Sequence, residues 1–261
     1  MKEKTHSTEK SPALKKTTRT RKSNSKQNQR EQIIYTATRL FREKGYDKTS
    51  ISEIARQIDM DQSSIYYWFP SKEAIFESIY DPGRALSILE RIQNDIGDRV
   101  VQLYMLIVYD VMRKCELPFD FVELEGLVHD HPERYEDFLK GYREYYHAFE
   151  SVITSGIEEG AFNDCLVDEQ VVTILSINEG LQHHYRAKLR NKLILNSCDY
   201  AVKDHSPDAI GHMAARTIMP GMLSTPQDID DIRNRATEIL EGLGVRVDEL
   251  ESRDPTVAQS K

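Results

Sequence analysis

Four consecutive aromatic residues followed by proline, Tyr66-Tyr67-Trp68-Phe69-Pro70, constrain this chain more than any other feature. Successive residues of an α-helix point about 100° apart, so four adjacent rings cannot share one buried face. A proline directly behind them stops a helix, because it lacks an N–H and restricts the residue before it. The stretch is therefore the end of a short helix that turns some of its rings outward. Outward tyrosine and tryptophan call for a reason.

The flanking residues supply one. Ile33, Ile34, Ala37, Leu40 and Phe41 recur at steps of three and four, which predicts a helix from Gln29 to near Gly45. Thr49 or Ser50 can cap a second helix, striped by Ile51, Ile54, Ala55 and Ile58. Asp59-Met60-Asp61 is a tight connection, a third helix covers 62–69, and a fourth starts at Lys72. Short helices joined by a three-residue turn predict a helix-turn-helix. Ile54, Ala55, Ile58, Ile65 and Phe69 can close its core, which leaves Gln62, Ser63, Ser64, Tyr66, Tyr67 and Trp68 on or near the open face. Such groups suit base edges, thymine methyls and phosphates. Two alternatives compete: Ser63 and Ser64 as helix caps, and Trp68 as core.

Charge is distributed to match. The net charge of −8 divides into +8 over residues 1–30, zero over 31–72 and −16 over 73–261. A basic arm on an acidic body is expected where one end meets a polyanion, although a solvated tail gives the same count. Residues 1–28, rich in Ser, Thr, Lys, Asn and Gln, read as a disordered arm.

Beyond residue 72 the pattern stays helical, with further helices near 98–115, 118–128, 133–160, 167–190, 206–224 and 227–243. Asp81-Pro82-Gly83 should kink or break the fourth helix, and Pro132, Pro207 and Pro226 suit first turns. Residues 246–261 read as a flexible tail. No run of 18 apolar residues and no apolar leader suggests a membrane span or secretory signal. Cys115, Cys165 and Cys198 are too scattered for a disulfide framework, which suits a reducing cytoplasm. His129-Asp130-His131 and His183-His184 diverge on a helix and lack a Glu or Cys at helical spacing, so no metal site is expected. No P-loop, GxSxG, HExxH or dinucleotide fingerprint occurs, so neither a catalytic site nor a cofactor is expected.

Residues 30–80 resemble the DNA-binding domain of TetR-family transcriptional regulators. The resemblance rests on Leu40, Phe41, Gly45, Tyr46, Thr49, Ser50, Ile54, Ala55, Ile65, Tyr66, Trp68, Phe69, Ser71, Lys72 and Glu73. Two departures are Asp59, where the family usually carries glycine, and Pro82, in a helix that commonly runs on. The resemblance implies double-stranded DNA as a partner. It places Thr49, Ser50, Ser52, Gln62, Ser63, Ser64 and Tyr66 at bases or phosphates, Tyr67 and Trp68 at the backbone, and Lys72 at a phosphate. It also implies an all-α chain with a three-helix N-terminal domain at 29–80 and a larger helical ligand-binding and dimerisation domain at 84–245. The apolar segments 171–181 and 208–223 read as the homodimer interface, with a purely interior core as the alternative. Tyr104, Tyr109, Phe119, Tyr142, Tyr146 and His183 are the candidates for a pocket that takes an amphipathic or aromatic small molecule. The function implied is a homodimeric, ligand-released repressor; the alternative is a DNA-binding architectural or adaptor protein with no inducer.

Overall fold

A computed structural model describes residues 17–80, 82–189 and 206–245. The expected tail at 246–261, the first part of the basic arm, Asp81 and Cys198 lie outside the described residues. The fold is all-α. Helices α1 (Thr17–Lys44), α2 (Ile51–Gln57), α3 (Gln62–Trp68) and α4 (Lys72–Tyr80) precede α5 (Pro82–Asp95), α6 (Arg99–Glu116) and α7 (Phe121–Asp130). After a 3₁₀ turn at Pro132–Arg134 come α8 (Glu136–Glu158), α9 (Val167–Leu189), α10 (Pro207–Met222) and α11 (Ile229–Gly242).

Several boundaries follow from local chemistry. Ser50 caps α2 by accepting from the Glu53 N–H at 3.2 Å, and Asp98 caps α6 by accepting from Val100 and Val101 at 3.0 and 3.2 Å. Pro207 opens α10 as expected, whereas Pro226 lies in the loop before α11, where Asp228 caps instead. The fourth helix does end before Pro82, which starts α5. One expectation is corrected: α1 begins at Thr17, so the helix runs through the second half of the segment read as a disordered arm. The apolar face at Ile33, Ala37 and Leu40 nucleates the helix, and elongation from an existing nucleus costs far less than starting one.

The body is organised around α6. Its residues from Val100 to Met112 are buried on every face, because α5, α8, α9, α10 and α11 surround it. Gly211 lets α10 approach so closely that an added Cβ would stand 3.0 Å from the Val108 carbonyl oxygen. Gly211, Ala214 and Ala215, the buried small residues of α10, therefore serve a crossing inside the chain. Their reading as primarily a surface between subunits is corrected to that extent.

A second core joins the two ends of the protein. Ile33, Phe41, Tyr46, Ile54, Ile65, Phe69 and Phe76 are buried together with Phe119, Phe121, Tyr135 and Phe138. Phe76 stacks on Phe119 at 4.7 Å and meets Tyr135 edge-on at 5.5 Å. The first four helices thus close their core on α7 and the start of α8.

Candidate nucleic-acid interface

Helix α3 owes its position to two anchors, Ile65 and Phe69, both buried against α1 and α2. The connection that aims it passes through Asp59 at φ +53°, the one non-glycine residue among those described with positive φ. Asp and Asn enter the left-handed region more readily than other side chains, so aspartate fills a turn that glycine would fill without strain. With its anchors inward, α3 turns Gln62, Ser63, Tyr66 and Tyr67 to solvent. Tyr66 is 47% exposed and Tyr67 69%. The Gln62 amide donates to the Tyr66 hydroxyl at 3.4 Å, which lines up two hydrogen-bonding groups one turn apart. Trp68 is half-buried and edge-on to Tyr67 at 5.1 Å, so part of its ring belongs to the core and part reaches the surface. Ser64 is also half-buried. On α2, exposed Ser50 and Ser52 lie 2.9 Å apart through their hydroxyls.

Two sequence assignments are corrected. Thr49 is 1% exposed and its hydroxyl donates to the Gly45 carbonyl at 2.9 Å, so it presents nothing to a groove. Lys72 is turned inward: its ammonium donates to the carbonyls of Tyr46 at 3.0 Å and Thr49 at 3.2 Å, and stands 4.0 Å over the Tyr46 ring. Burial pushes its pKa below the usual lysine value, opposed by the carboxylates of Asp47 and Glu73. Lys72 ties the turn before α2 to the start of α4. Exposed cations that the sequence reading omitted are Lys48, before α2, and Arg56, one turn past Ser52 on α2. Their signal was their position beside that serine.

In the body, the six pocket candidates do not converge. The Tyr104 hydroxyl lies 3.1 Å from His212 Nδ1 and Tyr109 donates to the Ala85 carbonyl at 3.4 Å, both deep in the core. Phe119 belongs to the core that joins the two ends. Tyr146 donates to Asp168 at 3.0 Å on the surface, and His183, 57% exposed, sits 2.7 Å from Asp120. Of the six, Tyr142 alone lines a small, partly open pocket of about 30 Å³, where the ends of α4 and α5 meet α6, α7 and α8. Tyr104, Tyr109, Tyr146 and His183 satisfy their polar ends within the protein, which periodicity cannot foresee.

Beside that pocket runs a buried polar chain. The Lys114 ammonium donates to Asp110 at 2.9 Å and to Glu179 at 3.3 Å. Asn178 donates to Asp110 at 2.8 Å, and Tyr142 donates to Glu179 at 3.1 Å. Arg113 pairs with Glu116 and donates to the Tyr80 carbonyl at 3.0 Å, at the last residue of α4. A larger cleft of about 370 Å³, open to solvent and lined by Asp98, Arg99, Glu159 and Thr225 among others, contains none of the pocket candidates. Among the described residues no cluster of His, Cys, Asp or Glu could hold a metal ion, and no helix is long and apolar enough to cross a membrane.

Residues 33–79 match the family model described as bacterial regulatory proteins, tetR family. Over 48 residues the chain is 44% identical to the Staphylococcus aureus negative regulator of the biofilm operon icaADBC, IcaR. Over 47 residues it is 47% identical to the uncharacterized regulator YuxN of Bacillus subtilis. Each match covers 18% of this chain, and spans 26% of IcaR and 16% of YuxN. Fold similarity extends further. AmtR of Mycobacterium smegmatis superposes with a TM-score of 0.59 at 23% identity, over 83% of this chain and 95% of its own. FadR of Bacillus subtilis, solved with stearoyl-CoA, gives 0.52 at 19% identity over 73% and 97%.

Proposed function

We propose that this chain, a TetR-family transcriptional regulator by its N-terminal domain and its fold, acts as a homodimeric repressor that a small-molecule inducer releases from a pseudopalindromic operator. The observation that carries the reading is α3: its apolar side chains are sealed inward while Gln62, Ser63, Tyr66 and Tyr67 line its outer face. Helix α3, with Ser64 and Trp68 at its edges, is the recognition helix, and Ser50, Ser52, Lys48 and Arg56 flank it. The domain organisation is a basic arm through residue 28, a DNA-binding domain at 29–80, a ligand-binding and dimerising body at 84–245 and a tail from 246. Two subunits join through the outer faces of α9 and α10, where Val172, Thr173, Ser176, Thr217 and Gly221 are exposed. Small side chains there permit close helix approach between copies. The reading involves no catalytic step and places the protein in the cytoplasm.

Inducer acts only through its difference in affinity between two body conformations. The aromatic core from Phe76 through Phe138 supplies a rigid link by which the body moves α4, and with it α3. Selection of bound fragments from genomic DNA tests the whole reading. A dimer should recover pseudopalindromes with half-site centres about 34–36 Å apart, or a multiple of a turn. On such a duplex Tyr66→Ala should weaken specific binding about tenfold or more and leave non-specific binding nearly unchanged. Equal losses in both would remove Tyr66 from the recognition surface.

A further inference from the structure

The loop between α6 and α7 is held from outside itself: four consecutive residues, Pro118 to Phe121, are each tied to α9. The Gln182 amide nitrogen donates to the Phe119 carbonyl at 2.9 Å and to the Lys114 carbonyl at 3.2 Å. Its oxygen accepts from the Phe121 N–H at 3.0 Å. The Lys114 carbonyl and the Phe121 N–H are end groups of α6 and α7, which their own helices cannot fully satisfy. Arg186, one turn further along α9, donates to the Pro118 carbonyl at 2.6 Å. His183 Nδ1 lies 2.7 Å from the Asp120 carboxylate, which caps α7 by accepting from the Val122 N–H at 3.0 Å. Gln182 is fully buried, so its loss would strip a partner from three backbone groups at once.

The same loop reaches the other way through Phe119. Its ring is buried among the first four helices, stacked on Phe76 of α4 at 4.7 Å and edge-on to Tyr46 at 6.5 Å. Tyr46 meets Phe41 of α1 at 5.0 Å, and Phe76 shares its core with Ile65 and Phe69, the two anchors of α3. One residue therefore offers its carbonyl to α9 and its ring to α4. The covalent route between the same parts is looser. Helix α4 ends at Tyr80 and a new helix starts at Pro82, which supplies no N–H to continue the ladder. Packing across the junction, and not helical hydrogen bonding, must fix the angle there.

We propose that Gln182 is a positioning residue for the recognition helix: through the loop at 117–120, α9 sets the direction in which α3 points. The proposal rests on the reading of α3 as the DNA-reading helix and of the outer face of α9 as a subunit surface, and it adds the route between them. Helix α9 carries exposed Val172, Thr173 and Ser176 on its outer side and buried Gln182 and Arg186 on its inner side, all within about four turns. A shift of α9 against a partner subunit passes to the loop through directional hydrogen bonds. It passes from the loop to Phe76 through close-packed rings, which have no free space to absorb it. The spacing of the two recognition helices in a dimer thus follows the packing of α9.

The test is hydrogen–deuterium exchange of the full-length chain and of Gln182→Leu, which keeps the apolar bulk and removes all three bonds. Amides of α3 and α4 should exchange about tenfold faster in the variant, although the substitution lies on α9, while those of α11 keep wild-type rates. Faster exchange confined to α9 and the loop, or an equal rise in α11 that marks global loosening, overturns the proposal. If Gln182→Leu does not fold, as circular dichroism would show, His183→Ala serves instead. That side chain is 57% exposed, and its loss should speed exchange in α3 and α4 about threefold; unchanged rates there overturn the proposal. A second readout is fluorescence anisotropy on a pseudopalindromic duplex recovered from genomic selection, and on the same duplex with one base pair inserted between its half-sites. The insertion should cost the wild-type protein about tenfold in affinity and the folded variant less than about threefold, because a loosely held α3 tolerates altered spacing. Equal penalties overturn the proposal. Exchange needs no DNA, so a selection that recovers no pseudopalindrome removes the repressor reading while exchange alone decides the route.

Discussion

Replacing Lys72 with methionine separates two roles that the sequence cannot separate. Methionine keeps most of the hydrocarbon stem and removes the ammonium. The Tyr46 carbonyl retains the Thr49 N–H as a donor at 3.1 Å, but the Thr49 carbonyl loses its side-chain donor. A carbonyl stripped of a charged donor costs about 1–2 kcal/mol, and the lost contact over the Tyr46 ring about 0.5–1 kcal/mol. Relief from burying an ammonium, whose lowered pKa shows that burial penalises it, returns part of this. The net loss should be about 2 kcal/mol, a fall in Tm of roughly 5 °C for a chain of this size. Thermal and urea denaturation followed by circular dichroism measure it. Fluorescence anisotropy on an operator duplex across a salt series measures the other role. With the ammonium already engaged on two carbonyls, the slope of log K against log salt should be the same in both proteins. A phosphate contact would instead flatten the slope by about 0.9. Unchanged stability together with a flattened slope would refute the inward role and restore Lys72 to the DNA.

Other substitutions probe the frame of the protein. In Gly156→Ala the new Cβ would fall 2.2 Å from Phe162 Cδ2 and evict that buried ring, so after a gain of about 1 kcal/mol in helix propensity the variant should lose about 3 kcal/mol in urea titration. Asp59→Ala should cost about 1 kcal/mol because alanine resists the φ of +53°, whereas Asp59→Gly should cost nothing; equal effects would mean that the turn is not strained. His212 has its pKa pushed down to about 4, first by burial and then by Arg233, so between that value and about 6.5 the unfolded chain binds more protons. Its neutral form thus contributes roughly 2–3 kcal/mol that is present above pH 6.5 and disappears as pH falls towards 4, and His212→Gln should flatten stability against pH in that window.

The sequence by itself determined what is local. The apolar stripes of α1 and α2, the four-ring run ended by Pro70, and caps such as Ser50 depend on residues within a few positions of one another, where helix geometry leaves little choice. Helix-turn-helix architecture and the outward direction of Tyr66 and Tyr67 were therefore legible, as were the body helices to within a few residues. Even the aspartate in the turn could be read as a residue able to stand in for glycine. What only the tertiary structure decided is where long polar side chains end. Lys72 has the charge and position of a phosphate contact, yet two carbonyls brought together by the turn before α2 draw it inward. Tyr104, Tyr109 and Tyr146 look alike along their helices, but each is assigned by a partner on another helix: His212, Ala85 and Asp168. Lys114, Asp110 and Glu179 lie on two helices far apart in the chain, and they meet only once α9 packs on α6. Periodicity states which face of a helix is buried; it holds no information about which buried group from elsewhere will meet it.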